Sequence, residues 1–287
     1  MLACARSAHW PLKVQPRKRT DMAIDKNSTG YTFMFSIAMV VVVGTALAFT
    51  ALSLKDRQDS NAADKKMMDI LGAIGVSSDR TNASELFAEY VVERVAISAG
   101  GQQISATSAA VNPKDKADPF SIDVKKDYRS SIKSAVKVAN GDAEALASAL
   151  SDKELQFPLF RCVTDSGQNL FVIPVVGSGL WGPIWGYVAL EDDMTTIFGA
   201  NFDHKTETPG LGAEIRESFF TAKFKGKKLN KEGKSLFTIL KGGAQDDDYS
   251  VDGITGGTIT SKGVDEMINR TLQVYLRYFE SQTRAQR

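Results

Sequence analysis

The sequence contains few residues of the kinds that bind metals or react as thiols. Two cysteines and two histidines are present in 287 residues, too few and too dispersed for a zinc or iron–sulfur site within one chain. The net charge is only +1, so the sequence lacks the positive field that draws proteins to nucleic acid. We therefore expect neither a metal site nor a nucleic-acid partner.

The sequence also lacks a Ser/His/Asp set that would support hydrolysis, so no catalytic residue is assigned. Cys162 lies in the apolar run LQFPLFRCV, which predicts a buried and unreactive thiol. Cys4 belongs to the N-terminal segment, and His204 is expected at the surface. What is present instead is a large apolar fraction, 43%, which suits a globular protein of one or two domains.

A predominantly apolar run without a charge extends from Tyr31 to Leu54 and contains 24 residues. As a helix rising about 1.5 Å per residue it reaches about 36 Å, enough to cross a bilayer with some tilt. A cleaved signal peptide is the alternative, but its apolar core would be shorter and a small-x-small cleavage site would follow it. We expect a leader at 1–30 (of which 1–21 resembles no part of a fold), a transmembrane helix at 31–54 and a soluble domain at 55–287.

The basic residues around this stretch give no single orientation. Counted from Met1, the N-terminal flank holds six lysines and arginines against four on the other side. The positive-inside rule then places the N-terminus in the cytoplasm. If Met22 starts the protein, the bias reverses.

The remainder predicts one α+β domain of mixed sheet and helix. A juxtamembrane helix is predicted from Asn61, as its cap, with apolar residues at helical spacing through Ile74. Three apolar runs bounded by Gly or Pro predict strands, and GDAEALASAL predicts a short helix. The three runs are PLFRCV, QNLFVIPVVG and GPIWGYVALE. ESFFTAKFKGKKL fits either a helix end or a strand.

The clearest element is a C-terminal amphipathic helix, which must dock its apolar stripe on the sheet. Ser261 is expected to cap this helix, with Asp265 and Glu266 in its first turn, where the helix dipole favours acids. The stripe consists of Val264, Met267, Ile268, Thr271, Leu272, Tyr275, Leu276 and Phe279.

The approach to this helix reads DGITGGTITS, Asp252 to Ser261. Backbone amides at a helix start are free donors that attract phosphate oxygens, and glycines let a ligand approach the backbone. Hydroxyls on Thr255, Thr258 and Thr260 add further donors. The stretch has neither the GK[ST] of a Walker loop nor the GxGxxG spacing. On residues alone, a phosphate cradle and a glycine-rich turn that caps a helix both fit.

Two further clusters are candidates for a ligand site. DHKTETPGLGAEI contains Glu207 before a Pro-Gly turn, where it presents a carboxylate or belongs to a structural turn. GSGLWGPIWGY holds Trp181, Trp185 and Tyr187 in a glycine frame. Such aromatic side chains stack on a planar ring or fill a core.

Asp252–Thr258, DGITGGT, resembles the flavinylation signature D-x-x-[ST]-G-A-T, with Gly257 where the signature has Ala. The signature marks domains that carry FMN on its last threonine, here Thr258, through a phosphoester bond. TPGLG at Thr208–Gly212 and GLWGPIWGY at Gly179–Tyr187 also resemble segments of this family. Their order, the single span and the chain length resemble the C subunits of the Na⁺-translocating NADH:quinone reductases. The G subunits of the related ferredoxin:NAD oxidoreductases are the second resemblance. A membrane-tethered module that binds a phosphate ligand noncovalently is the remaining alternative.

The resemblance implies a covalent FMN, attached by a flavin transferase that uses FAD. It implies an electron carrier rather than the NADH-oxidising site, in a complex that oxidises NADH, reduces ubiquinone and pumps Na⁺. Electrons would come from a membrane iron–sulfur centre and pass to the covalent FMN of the B subunit; the partners would be the A, B, D, E and F subunits, the transferase and membrane lipid. The implied location is the bacterial inner membrane, with the soluble domain on the periplasmic side. The residues implied at the flavin are Thr258, Asp252, Thr255, Gly256, Gly257, Thr260, Ser261, Trp181, Glu207, Thr208, Leu211 and Gly212.

Overall fold

The computed structural model describes residues 26–139, 143–151, 153–230, 232, 235–244 and 247–285. Its α-helices are α1 (Thr29–Ala73), α2 (Ala83–Tyr90), α3 (Val124–Asp127), α4 (Lys133–Ala139), α5 (Ala143–Ser151), α6 (Ser218–Thr221) and α7 (Thr258–Ala285). Its strands are β1 (Val91–Ser98), β2 (Gln103–Thr107), β3 (Gln156–Val163), β4 (Asn169–Ser178), β5 (Pro183–Glu191), β6 (Ile197–His204), β7 (Thr238–Leu240) and β8 (Ser250–Asp252). Short 3-10 helices occupy Pro119–Ser121, Gly212–Arg216 and Ala222–Phe224, and a π-helical turn occupies Tyr128–Ile132.

The chain divides into two compact units, one ending at Asp56 and one beginning at Arg57. In the first unit the described residues form the apolar part of α1, whose large apolar side chains, such as Phe33 and Phe49, are exposed. Among the helices of the described ranges, α1 is the one long and apolar enough to cross a membrane. The prediction of an apolar helix here is confirmed. Most of the expected leader, including Cys4, lies outside the described residues.

Helix α1 continues to Ala73, so the prediction of a separate juxtamembrane helix capped by Asn61 was wrong. The sequence from Lys55 to Leu71 contains neither Gly nor Pro, and nothing in it ends a helix. The C-terminal end of α1 packs into the second unit as the helical spacing predicted. Its buried residues are Ala63, Met67, Asp69, Ile70, Leu71 and Ala73.

The second unit is built around a six-stranded antiparallel sheet in the order β2-β1-β3-β4-β5-β6. Strands β3, β4 and β5 coincide with the three predicted apolar runs. These runs are apolar at most positions because both faces of the sheet are covered. One face packs on α7, and the other packs on α2 and the end of α1. The predicted α+β class is confirmed.

Strand β6 was not predicted, because Gly199 and Asn201 are residues that disfavour strands. Both are explained by the neighbouring end of α1. A Cβ on Gly199 would lie 2.5 Å from the carbonyl oxygen of Ala73. The Asn201 Nδ2 donates to the carbonyl of Asp69 at 3.2 Å. Contacts with α1 therefore override the local preference of this segment.

Helix α7 packs its apolar stripe on the sheet as predicted, and every stripe residue from Val264 to Phe279 is buried. The predicted cap was wrong. The helix begins at Thr258, and the Ser261 N–H donates to the Gly257 carbonyl at 2.9 Å. Since the cap residue accepts this first helical bond, Gly257 is the cap and Ser261 lies inside the first turn.

Asp265 and Glu266, which were predicted in the first turn of α7, lie beyond that turn. Their carboxylates accept hydrogen bonds from neighbouring groups instead. The Asp265 Oδ2 accepts from the Ile239 N–H of β7 at 2.7 Å, and Glu266 pairs with Arg270 at 2.6 Å. Strands β7 and β8 form a separate parallel pair, and β7 contacts α7. Asp265 thereby ties this small sheet to the helix.

The stretch ESFFTAKFKGKKL, for which helix and strand were both open, forms α6 and a 3-10 turn. Its residues Phe220 and Phe224 are fully buried together with Phe202 and Phe237. Neighbouring ring centroids in this cluster are 5.1 to 6.0 Å apart. The four rings pack β6, α6 and the approach to β7 together.

Cys162 is buried as predicted, whereas His204 is more enclosed than predicted. Cys162 is 1% exposed on β3, and burial raises the pKa of its thiol to about 12. A thiol that stays protonated is a poor nucleophile, so the prediction of a buried, unreactive thiol is confirmed. The surface position predicted for His204 was wrong, because the side chain is half-buried and its Nε2 is enclosed.

Lys66 on α1 gives the second unit a pH-dependent stability. Its ammonium donates to the carbonyls of Phe120 at 2.5 Å and Ile122 at 3.0 Å. Burial lowers the pKa of this group from its usual 10.5 to about 8. The unfolded chain therefore binds this proton more tightly than the folded chain, and the contribution of Lys66 to stability rises with pH between about 8 and 10.5.

We expect the free energy of unfolding of the wild type to rise relative to that of Lys66→Met over this pH range. Denaturant unfolding of the full chain, followed by tryptophan fluorescence at several pH values, measures the difference. Lys116→Met, at an exposed position, is the control and should run parallel to the wild type. If the free energy of unfolding of Lys66→Met changes with pH in the same way as that of the wild type, the prediction is wrong.

Candidate functional site

Three segments that are far apart in the sequence meet at the carboxylate of Glu207. Its Oε1 accepts from the N–H groups of Trp181 at 2.8 Å and Gly182 at 3.2 Å, and its Oε2 accepts from the Thr260 hydroxyl at 2.6 Å. The Glu207 N–H donates to the Nδ1 of His204 at 3.2 Å. Glu207 is only 5% exposed. We call Glu207, Trp181, Gly182 and Thr260 the Glu207 junction; it joins the β4–β5 loop, the turn after β6 and the first turn of α7.

Two glycines pack directly against this junction. A Cβ on Gly179 would lie 2.6 Å from the Glu207 Oε1. A Cβ on Gly212 would lie 2.5 Å from the Glu207 Oε2 and closer still to the Thr260 hydroxyl oxygen. Neither glycine has a left-handed φ, so the lack of space, and not the backbone conformation, requires glycine here.

The first turn of α7 offers backbone donors without a side-chain cap. Gly257, the cap residue, has no side chain that could accept from the amides of Thr258, Ile259 and Thr260. Within the described residues no protein group hydrogen-bonds to these amides or to the Thr258 hydroxyl. Free amides at a helix start attract phosphate oxygens. The predicted cradle therefore has the donors that a phosphate requires.

Ser261 shapes the turn that precedes α7. The Ile254 N–H donates to the Ser261 Oγ at 2.9 Å, and the Gly257 N–H donates to the Ile254 carbonyl at 3.0 Å. Gly256 has a φ of 78°, in the left-handed region that favours glycine. Thr255, next to it, is exposed. The turn is thus closed by hydrogen bonds while its outer edge stays accessible.

Asp252 holds the start of the same turn. Its Oδ1 accepts from the Ala244 N–H at 2.9 Å, and its carbonyl accepts from the Lys223 Nζ at 3.1 Å. These contacts fix the end of β8 against the loop that leads into it and against the 3-10 turn at Ala222–Phe224. The carboxylate therefore orients the turn.

A cleft of about 490 Å³ opens beside this turn, a volume within the usual range of small-molecule sites. Apolar side chains, lysines and hydroxyls line it together. The lysines were not predicted, because they lie in three separate segments, TAKFK, TILKG and TSKGV, and a single lysine in such a segment usually lies on a solvated surface. The lining side chains are Lys223, Ile239, Leu240, Lys241, Asp252, Ile254, Thr255, Thr258, Ser261 and Lys262.

The three aromatic side chains of GLWGPIWGY lie in different surroundings. Trp181 is 66% exposed beside the Glu207 junction. Trp185 lies under the ammonium of Lys125, 3.5 Å from its ring centroid. Tyr187 is buried in the core on the α1 side of the sheet. Of these three side chains, Trp181 is therefore the one that is largely exposed.

The TPGLG segment brings one apolar side chain to the turn before α7. The carbonyl of Thr208 accepts from the amides of Leu211 and Ala213, both at 3.1 Å, which closes the segment. Leu211 is 43% exposed, and its Cδ2 lies 2.6 Å from where a Cβ on Gly256 would be. The exposed side chain of Thr208 makes no such approach.

The glycines at this site should differ in their tolerance of alanine. We expect Gly212→Ala to lower the free energy of unfolding by about 1–3 kcal/mol, because its Cβ is forced against two buried oxygens. A Cβ on Gly257 would meet only the Ile254 side chain at 3.0 and 3.1 Å and the Leu211 carbonyl carbon at 3.3 Å. Gly257→Ala should therefore cost less than Gly212→Ala. Denaturant midpoints of both variants test the order, and the reverse order would contradict it.

Comparisons with known proteins show which family this chain resembles. A family model described as the FMN-binding domain matches residues 179–273, which include all three segments. The C subunit of the Na(+)-translocating NADH-quinone reductase of Vibrio vulnificus (strain YJ016) is 31% identical over 241 residues, which cover 83% of this chain and 87% of that protein. The same subunit of Neisseria meningitidis serogroup B is 31% identical over 246 residues, which cover 84% of this chain and 88% of that protein.

A solved structure shares the fold. The crystal structure of the C subunit of the Na(+)-translocating NADH-quinone reductase from Parabacteroides distasonis has a TM-score of 0.59 and 33% identity, and the match covers 78% of this chain and 96% of that chain. Relatives this similar over most of the chain establish its family. The chain belongs to the family of the C subunits of the Na⁺-translocating NADH-quinone reductases.

Proposed function

We propose that this chain is an electron-transfer subunit that carries FMN, esterified to Thr258, within a Na⁺-translocating NADH-quinone reductase. The observation that carries the proposal lies at the start of α7. There Thr258 lines a cleft of about 490 Å³, and no protein group of the described residues hydrogen-bonds to its hydroxyl or to the amides of Thr258, Ile259 and Thr260. A phosphoester on this hydroxyl would place its negative charge next to the helix N-terminus, which stabilises anions.

The residues around Thr258 fit a bound phosphate group. The amides of Ile259 and Thr260 are free to donate, and the positive end of the helix dipole favours an anion. Gly256 and Gly257 add no side chain at the turn, so the backbone can be approached closely. The lysines at the cleft add positive charge without occupying the helix start.

Attachment requires the Thr258 Oγ to attack the phosphorus of the FMN half of FAD, with AMP as the leaving group. The new bond joins Oγ to phosphorus, the anhydride bond breaks, and the hydroxyl proton passes to a base. A threonine hydroxyl is a weak nucleophile without such help. Since no protein group of the described residues hydrogen-bonds to it, we propose that the transferase supplies the base or metal.

When bound, FMN supplies the redox chemistry, and the protein positions it and tunes its surroundings. Trp181 and Leu211 offer apolar surface on the side of the Glu207 junction. The cleft offers Ile239 and Leu240 together with the lysine ammonium groups. We propose that these two groups of residues hold the isoalloxazine ring. Thr208 and Gly212 contribute through the backbone of their segment.

The wider assignment follows from the family. The relatives described above are C subunits, which favours the quinone reductase over the G-subunit alternative. We propose the A, B, D, E and F subunits, the flavin transferase and membrane lipid as partners. Electrons would arrive from a membrane iron–sulfur centre and leave to the FMN of the B subunit. NADH oxidation and Na⁺ transport would then be properties of the assembled complex.

The attachment site is tested by single substitutions after co-expression with a flavin transferase. We expect Thr258→Ala to abolish the ultraviolet fluorescence of the chain on a denaturing gel, because the oxygen that would be esterified is removed. Thr255→Ala, exposed in the same turn, is the matched control and should keep it. Fluorescence that persists in Thr258→Ala would put the attachment elsewhere. If the wild-type band is not fluorescent although the transferase modifies another substrate, covalent attachment is refuted. The alternative, a module that binds a phosphate ligand noncovalently, would then be favoured.

We also propose that the second unit lies on the periplasmic side of the inner membrane. A protease added to intact spheroplasts should then digest it, with a cytoplasmic protein as the control for intact cells. Full protection of the unit until the cells are lysed would reverse the orientation.

A further inference from the structure

Glu207 is an unusual residue for the interior of this site. Its carboxylate is buried, yet within the described residues it contacts no lysine or arginine. A buried charge is costly unless its oxygens are satisfied. Here the two N–H groups and the hydroxyl of the Glu207 junction satisfy them, and hydrogen bonds to a charged acceptor are the stronger kind. The donors come from two other segments, so each bond also fixes the position of a segment.

We infer that Glu207 is a positioning residue for the flavin site, and that it acts without touching the flavin. The inference rests on the proposed attachment of FMN to Thr258. Glu207 holds Thr260, which lies two residues beyond Thr258 in the first turn of α7. It also holds the backbone of Trp181, whose apolar side chain is 66% exposed. One side chain thereby sets the position of the attachment site relative to an apolar surface.

The surroundings of Glu207 exclude a direct contact with the flavin. Gly179 and Gly212 lie so close that even an added methyl group would meet the carboxylate oxygens at 2.6 and 2.5 Å. The remaining directions are taken by the three donors of the junction. A ring as large as an isoalloxazine has no access to this carboxylate while the junction is intact.

Substitutions at Glu207 can separate the effect of its hydrogen bonds from the effect of its charge. In Glu207→Gln, the amide oxygen can accept from the N–H groups of Trp181 and Gly182. The amide nitrogen can then donate to the Thr260 hydroxyl, which rotates to accept. Glutamine therefore keeps the junction without the charge, and alanine removes it. Thr260→Val removes only the one bond to α7.

The experiment uses the full chain in detergent, as wild type and as Glu207→Ala, Glu207→Gln and Thr260→Val. In the flavin-free protein, the amide proton resonances of Trp181 and Gly182 report directly on their bonds to the carboxylate. The initial rate of flavinylation by purified transferase with FAD reports on Thr258. The visible circular dichroism of the flavinylated chain reports on the surroundings of the ring.

We expect Glu207→Ala to shift both amide resonances upfield, to change the visible circular dichroism and to slow flavinylation on the order of 10- to 100-fold, as misplacement by about 1 Å does in other enzymes. Glu207→Gln should stay within about threefold of the wild type, since its hydrogen bonds are kept. Thr260→Val should fall between them, with the Trp181 resonance little changed. If Glu207→Ala does not fold, the other two variants still carry the test.

Wild-type rates and spectra in Glu207→Ala would overturn the inference. So would a Glu207→Gln chain as slow as Glu207→Ala with unshifted amides, because the charge itself would then act on the flavin or the transferase. A wild-type chain that takes up no flavin would refute the proposed function instead. The amide resonances would still test the junction in that case.

Discussion

The candidate site depends on one buried carboxylate. Glu207 accepts hydrogen bonds from the loop before β5 and from the first turn of α7, while its own segment follows β6. Buried carboxylate oxygens must keep their donors. Displacement of either partner segment would therefore strand a charge in the interior. The glycines at 179 and 212 belong to the same constraint, since any side chain there would push the carboxylate away from its donors.

The carboxylate can act in this way because α7 is itself held firmly. The apolar stripe of α7 packs on the sheet, and Asp265 and Asn269 hydrogen-bond to the backbone of β7 and the residue before it. The start of α7 is thus supported from the sheet, from β7 and from Glu207. A reactive or ligand-binding group keeps its geometry when neighbouring contacts lock the element that carries it. Thr258, at the first position of the helix, has that support, while no protein group in the described part of the chain hydrogen-bonds to its hydroxyl or amide.

Much of the fold could be predicted from periodicity. The stripe of α7 and the apolar runs of β3, β4 and β5 follow from the requirement that one helix face and two sheet faces be buried. The cap of α7 was predicted four residues too late, at Ser261 instead of Gly257, because cap preferences rank serine above glycine. Ser261 accepts a hydrogen bond from Ile254 instead, so its hydroxyl is not free to cap. Strand β6 was missed because Gly199 and Asn201 serve contacts with α1 rather than strand propensity.

The sequence by itself determined the apolar span, the amphipathic helix and, through the signature it resembles, the threonine proposed to carry the flavin. Each of these is local, since it depends on residues within a few turns or in one short motif. Only the tertiary structure decided what Glu207 does, which lysines line the cleft, and that Trp181 is exposed while Trp185 lies under Lys125 and Tyr187 lies in the core. Glu207 and Thr260 are 53 positions apart, and Glu207 and Trp181 are 26 apart. No local pattern encodes contacts over such separations, because they exist only once the sheet and α7 have packed.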